Sequence, residues 1–245
     1  MSDQSDRKVA LVTGANKGIG FEVARQLAKD HGMAVIIAAR DEARGREAAE
    51  KLVADGLDAR SLVLDVTDPS TAEAAARQVE GWFGRLDVLV NNAGIALDQG
   101  SPSQIGLDVL RQTYETNVFG VFNVTMAMLP LLKKSGAARI VNVSSGLGSL
   151  AQNSDPNWEF AAIKPLAYNS SKAALNMMTV VFAAELKDSS IKVNAVDPGY
   201  TATDLNQHRG TRTLAQGATA AVRLATLADD GPTGGFFDEA GVVPW

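Results

Sequence analysis

Short runs of apolar, mostly β-branched residues alternate along this chain with stretches whose apolar positions recur every three or four residues. The runs predict strands at Val9–Thr13, Ala34–Ala39, Ser61–Leu64, Leu86–Val90, Arg139–Val143, Lys192–Val196 and Gly235–Asp238. The period-3.6 stretches between them predict helices at Ile19–His31, Glu42–Ala54, Ser70–Phe83, Val109–Lys133, Leu166–Leu186 and Gln216–Leu227. The first strands are apolar throughout rather than alternating, as expected of strands covered on both faces in a parallel sheet. Repeated strand–helix units make that sheet doubly wound, in an α/β architecture of about seven strands with helices on both faces.

No linker, repeat or low-complexity segment interrupts the rhythm, so residues 8–245 are read as a single domain behind a disordered leader at residues 1–7. Two irregular stretches, Gly146–Lys164 and Pro198–Ala215, follow strand C-termini, where open α/β sheets bind their ligands.

The turn after the first strand reads Thr13-Gly14-Ala15-Asn16-Lys17-Gly18-Ile19-Gly20. Gly14 permits a tight turn, while Gly18 and Gly20 let backbone N–H groups and a helix N-terminus approach a pyrophosphate. Asn16 and Ile19 complete the turn. With a strand before and a helix after, it reads as a dinucleotide site on a Rossmann-type fold. An NAD site places a carboxylate about 20 residues on, for the ribose 2′-OH. Here the second strand ends in Ala38-Ala39-Arg40, with no carboxylate to repel a 2′-phosphate. Arg40 can grip that phosphate bidentately, with Lys17 and Arg44 as further cations, so the expected cofactor is NADP(H).

Composition narrows the alternatives. A net charge of −5 gives no basic footprint for nucleic acid or an anionic membrane. The absence of cysteine excludes disulfides and thiolate metal sites and fits a reducing cytoplasm; with two histidines, His31 and His208, no metal site is expected. Met1–Lys8 is polar and mixed in charge, so no secretory signal is expected there.

Tyr168 and Lys172 lie four apart at the start of a predicted helix and share a face. Ser145 ends the fifth strand, and Asn117 falls in the long helix within Glu115-Thr-Asn117-Val-Phe-Gly120. Asn91-Asn92-Ala93-Gly94 follows the fourth strand, Asp65-Val66 the third, and Asn194-Ala-Val-Asp-Pro198-Gly199-Tyr200-Thr201-Ala-Thr203 the sixth. In this order the motifs resemble the short-chain dehydrogenase/reductase family over nearly the whole chain; within it, the run from Ala39-Arg40-Asp41 through Arg44-Gly45 to Leu86-Asp87-Val88-Leu89-Val90-Asn91-Asn92-Ala93-Gly94-Ile95 most resembles the NADPH-dependent carbonyl reductases.

That resemblance implies Tyr168 as general acid in carbonyl reduction and base in alcohol oxidation. An ammonium about 4 Å away, at an effective dielectric near 20, is worth ~4 kcal/mol, so Lys172 is expected to draw the phenol from about 10 toward neutrality. The resemblance further implies that Lys172 holds the nicotinamide ribose, that Ser145 hydrogen-bonds the substrate oxygen, and that Asn117 anchors a relay water. It assigns Asp65 to the adenine, Asn91 to the ribose region, and Thr203 to the nicotinamide or pyrophosphate; Val66, Asn92, Ala93, Gly94, Pro198, Gly199 and Thr201 join the cofactor set. Adjacent strand residues face opposite ways, so only one of Ser144 and Ser145 should point into the site; the resemblance implies Ser145, since the family's motif usually has its serine at the last position of this run.

The 23-residue interval from Ser145 to Tyr168 is longer than in many members of the family and shorter than in animal carbonyl reductases. It leaves a homodimer, a homotetramer or a monomer open, with Val109–Lys133 and Leu166–Leu186 as the expected interface. Leu147, Leu150, Trp158 and Tyr200 are expected to wall an apolar pocket for a small-molecule substrate. An alcohol-oxidising dehydrogenase and a non-catalytic NADP(H) sensor remain alternatives. The first shares every catalytic residue; the second sits poorly with all four being present.

Overall fold

The computed structural model describes residues 7–98 and 100–245. Residues 1–6, most of the expected disordered leader, lie outside the described residues. Arg7 departs from that expectation, since its Nη1 pairs with Asp58 Oδ2 at 2.7 Å.

Strands β1 (Val9–Thr13), β2 (Ala34–Ala39), β3 (Ala59–Val63), β4 (Val88–Asn91), β5 (Arg139–Val143), β6 (Lys192–Val196) and β7 (Phe236–Phe237) form one parallel sheet, ordered β3-β2-β1-β4-β5-β6-β7. Helices α1 (Gly18–His31), α2 (Glu42–Ala54), α3 (Pro69–Phe83), α4 (Leu107–Tyr114), α5 (Gly120–Lys133), α6 (Leu150–Ser154), α7 (Leu166–Glu185) and α8 (Leu214–Ala225) fill the connections. The order reverses between β1 and β4, and the crevice at such a reversal is where this architecture binds ligands.

The core divides along the pleat, since successive strand residues face opposite ways. Val9 and Leu11 join Ile36, Leu89, Ile140 and Val193 under α3, α5 and α7, against Val79, Met128 and Ala183. Ala10 and Val12 join Val35, Val90 and Val141 under α1, α2 and α8, against Leu27, Leu52 and Leu224. Each fully buried Leu or Ile contributes about 1.5–3 kcal/mol.

Several boundaries differ from the predicted ones for identifiable reasons. The fourth strand begins at Val88 rather than Leu86, because the Asp87 carboxylate takes the Val9 N–H at 2.8 Å before the ladder starts. The last helix begins at Leu214, where Thr213 Oγ1 accepts the Gln216 N–H. The long helix expected at Val109–Lys133 is three pieces: α4, a π turn at Glu115–Phe119, and α5. The extra residue in a π turn rotates the helix beyond it and often marks a functional site.

Beneath the carboxyl edge runs a buried chain of side-chain hydrogen bonds. Asn91 Nδ2 donates to Thr125 Oγ1 at 3.1 Å and to Asn142 Oδ1 at 2.9 Å. Asn142 Nδ2 donates to Thr179 Oγ1 at 2.9 Å, and that hydroxyl donates to the Leu175 carbonyl at 3.0 Å. The chain binds α5, β4, β5 and α7 in one register. Asn142→Ala leaves Asn91 and Thr179 short of partners, at about 1–3 kcal/mol for each group stranded. The urea midpoint is expected to fall accordingly; an unchanged midpoint would contradict this account.

Candidate active site

The glycine turn is clamped from β4. Thr13 Oγ1 accepts the N–H groups of Asn92 and Ala93 at 2.9 and 3.0 Å, and Asn92 Nδ2 donates to the Thr13 carbonyl at 2.8 Å. A Cβ on Gly20 would lie 2.3 Å from that amide nitrogen, so only glycine fits there. Gly18, at φ +63°, faces open space. The Ala15 N–H reaches the Ala38 carbonyl at 3.3 Å, bringing the turn against the end of β2 and hence toward Arg40.

Two features make this corner fit a phosphorylated dinucleotide. Side chains cap α2, α3 and α8, through Asp41, Asp68 and Thr213, whereas α1 starts at Lys17 with no side-chain cap and no acid in its first turn. Its first N–H groups are free for an anion. Arg40 is exposed and makes no hydrogen bond or ion pair among the described residues. Lys17 and Arg44 are engaged: Lys17 Nζ pairs with Asp204, and Arg44 Nε lies 3.6 Å from Asp41 Oδ2. His208 Nε2 also reaches Asp204, at 2.7 Å.

Ser145, not Ser144, faces Tyr168. The Ser144 hydroxyl is buried and donates to Asn176 Oδ1 at 2.6 Å, whereas the Ser145 side chain lies close enough to the Tyr168 hydroxyl to lower its pKa. Gly148 lets the turn after Ser145 lie on α7: a Cβ there would stand 2.7 Å from Lys172 Cβ and 2.8 Å from the Lys172 carbonyl carbon. Lys172 is 4% exposed, and its Nζ donates to the Val143 carbonyl at 2.8 Å.

The expected drop in the tyrosine pKa is not what this geometry gives. Tyr168 is pushed up to about 12, chiefly by burial; the Ser145 hydrogen bond opposes this and the Asp197 charge adds to it. Lys172 is pulled down to about 8 by its own burial. Its Nζ lies 5.6 Å from the Tyr168 ring centroid. Taking both groups out of water outweighs their mutual attraction.

The π turn aims Asn117 inward, where it is fully buried. Its Oδ1 accepts the Ile95 N–H at 2.9 Å, and its Nδ2 donates to the Ile95 carbonyl at 2.8 Å and to Ser171 Oγ at 3.0 Å. Both amide protons are spent, so the side chain has no donor left for the expected relay water.

Several other expected residues carry contacts of their own within the fold. Asn91 is spent in the buried chain, with its Oδ1 unpaired in the interior. Val66 packs beside Gly120 at the start of α5. Asp65 Oδ1 closes a local turn by accepting the Thr67 N–H at 3.0 Å. Thr201 is 3% exposed and donates to the Pro198 carbonyl at 2.9 Å. The Thr203 N–H is held by Asn206 Oδ1 at 3.1 Å, in the loop that Asp204 ties to Lys17. The Pro198-Gly199 turn is stacked under Arg212.

The expected apolar wall is partly corrected. Leu150 is 70% exposed on α6 and does not line the cleft, because that short helix presents it to solvent. Leu147 lies just beyond Ser145 and is half-buried, with its N–H on Ser145 Oγ at 3.2 Å. Trp158 and Tyr200 are joined by Phe160, with ring centroids 5.5 and 5.9 Å apart. Trp158 lies beside Gly146, next to Ser145. Phe160 was absent from the expected wall, although aromatic residues clustering in the 146–164 stretch were its signal. Asp197 was also missed: it sits within the Asn194–Gly199 motif, is half-buried, and accepts the Gly199 N–H at 2.9 Å. Burial raises its pKa, against the backbone N–H groups of Gly199 and Gly146.

The family model described as short chain dehydrogenase matches residues 8–213. The chain belongs to the short-chain dehydrogenase/reductase family. Among its relatives, carbonyl reductase [NADPH] 3 of Mus musculus is 36% identical, covering 97% of this chain and 98% of that protein. Short-chain dehydrogenase/reductase 1 of Saponaria officinalis is also 36% identical, covering 98% and 97%. Among solved structures, NADPH-bound carbonyl reductase from chicken fatty liver superposes with a TM-score of 0.84 at 29% identity, covering 98% of this chain and 99% of that one. Among the described residues, no helix of this family member is long and apolar enough to cross a membrane.

Gly148→Ala forces a methyl group into the Lys172 backbone. It is expected to abolish oxidoreductase turnover and to cost about 1–3 kcal/mol of stability by overpacking. Steady-state rates and the melting temperature, measured side by side, check both.

Proposed function

We propose that this family member reduces a ketone, aldehyde or quinone carbonyl to the alcohol with NADPH, reversibly, with Tyr168 as general acid/base. The observation that carries the reading is the convergence of Ser145 and Tyr168, close enough for the serine to lower the phenol's pKa, with Lys172 one turn further along α7 and anchored on the Val143 carbonyl. NADP(H) is supported by the uncapped start of α1, the unpaired Arg40, and relatives named as NADPH enzymes.

Each group has a separate task. Gly14, Asn16, Gly18, Ile19 and Gly20 cradle the pyrophosphate against α1, and Arg40 takes the 2′-phosphate, with Lys17 and Arg44 able to turn from their exposed carboxylate partners. Asn92, Ala93 and Gly94 brace the cofactor's inner side. Bound NADPH supplies the hydride to the carbonyl carbon. Ser145 donates a hydrogen bond to the carbonyl oxygen as charge gathers there. Tyr168 releases its proton to that oxygen and is reprotonated from solvent. Lys172 holds the ribose hydroxyls and stabilises the phenolate as it forms. The high pKa of Tyr168 keeps it protonated at ordinary pH, the state in which it can donate to a carbonyl oxygen. Leu147, Trp158, Phe160 and Tyr200 present an apolar face to the substrate.

An oligomer is part of this reading. Phe119, Phe122 and Met126 on one side and Met177, Val180 and Val181 on α7 are exposed, forming an apolar surface suited to a second copy. Light scattering is expected to give two or four times 25.7 kDa, and a single-chain mass would remove this part. The cysteine-free composition supports a cytoplasmic setting.

Absorbance of the reduced nicotinamide, followed with a panel of ketones, aldehydes and quinones, tests the whole. Turnover is expected with NADPH and lost in Tyr168→Phe; Arg40→Ala should raise the NADPH KM about 10- to 100-fold and leave that for NADH unchanged. Persistence of turnover in Tyr168→Phe would overturn the mechanism.

The pH profile has a definite sign. Lys172 acts as a cation, and its pKa is drawn down to about 8. kcat/KM for NADPH is therefore expected to be full below that value and to fall as pH rises through it. Tyr168, titrating at about 12, adds no limb in the accessible range. A flat profile to pH ~10, where an unperturbed lysine titrates, would contradict this assignment.

A further inference from the structure

The helix that carries Tyr168 and Lys172 has no cap of its own. Pro165 stands at its N-cap position, extended at φ −66° and ψ 110°, and has no side-chain acceptor. The first-turn N–H groups are satisfied from elsewhere. Asp98 Oδ2 accepts from the Ala167 N–H at 2.6 Å, and Asp98 Oδ1 from the Tyr168 N–H at 3.1 Å. These are the second and third positions of the helix, the two that an N-cap side chain ordinarily serves. Asp98 does so from about 70 residues upstream in the chain.

Its loop matters as much as its carboxylate. The same segment begins with Asn92 and Ala93, which clamp the glycine turn, and continues through Ile95, held at both its N–H and its carbonyl by Asn117. Asp98 joins that braced loop to the backbone of the residue bearing the phenol. A carboxylate there also suits the positive end of the helix dipole, and its bonds to N–H groups are charge-assisted.

We propose that Asp98 is a positioning residue: a cap supplied from another part of the fold, which sets the first turn of α7 so that the Tyr168 hydroxyl meets Ser145. Lys172 lies one turn further in and has its own anchor on the Val143 carbonyl, so it is held independently. The inference rests on the reading of Tyr168 as proton donor. It separates two quantities that a general loss of structure would move together: the rate of proton transfer depends on Asp98, and the grip on NADPH does not.

The test uses the full chain, NADPH and the best carbonyl compound from the panel. Asp98→Ala is expected to lower kcat about ten- to a hundredfold, the scale of a misplaced catalytic group, while the NADPH dissociation constant stays within about twofold. Asp98→Asn keeps a neutral acceptor and should fall between; it serves as the readout if the alanine variant does not fold. Adding Pro165→Asp to Asp98→Ala returns an acceptor to the local N-cap and is expected to restore most of kcat. The proposal is overturned if Asp98→Ala and Asp98→Asn keep wild-type kcat, if NADPH binding is lost in parallel with kcat, or if Pro165→Asp restores nothing. Tyr168→Phe separates the two levels. If it stays active, the mechanism itself fails; if it is inactive while Asp98→Ala keeps full activity, only the role of Asp98 fails.

Discussion

Polar groups buried under the carboxyl edge of the sheet admit one arrangement, and the site inherits its geometry from it. Thr125, Asn91, Asn142 and Thr179 pass hydrogen bonds from α5 through β4 and β5 to α7 in the buried interior. A slip of one residue in β5 would turn Asn142 to the other face and strand its neighbours, each at a cost comparable to a sizeable share of a domain's net stability. Apolar packing alone would tolerate small shifts of α7 against the sheet; this chain does not. Ser145 lies two residues past the end of β5 and Tyr168 on the first turn of α7, so fixing one element against the other fixes their meeting.

Burial also decides the electrostatics. The same dryness that makes the amide chain exacting disfavours charge on Lys172 and keeps the proton on Tyr168. Proximity of an ammonium to a phenol suggests a lowered phenol pKa, but that argument counts attraction and omits what both groups lose on leaving water. The result is a protonated donor beside a hydroxyl, a disposition suited to giving a proton to a carbonyl oxygen.

The architecture was legible in the sequence because its pattern is local. Continuous apolar runs, glycine spacing and helical periodicity survive without tertiary knowledge, and β1, β2, α2, β5 and β6 fall where that pattern puts them. Pairing Tyr168 with Lys172 on one face of a helix needed only a period of 3.6; a period of 2 set Ser144 and Ser145 on opposite faces, and the family resemblance chose between them. What escaped was anything set by partners distant in sequence. No spacing announces a π turn, nor that Asn91 faces the interior while Asn92 braces the glycine turn. Leu150 illustrates the same limit, since hydrophobicity does not say which way a short helix in an irregular stretch will face.

Trp158 and Phe160 come from the stretch between β5 and α7 that contains no strand, and Tyr200 from the loop after β6. Ser145, Tyr168 and Lys172 belong to the ends of elements locked by the core. The aromatic cluster and the group of Ser145, Tyr168 and Lys172 are thus written on separate pieces of chain. Such a division lets lineages diversify: residues 149–165 can lengthen, shorten or change their rings while the register of β5 and α7 stands. Variation there does not reopen the problem of how to fold.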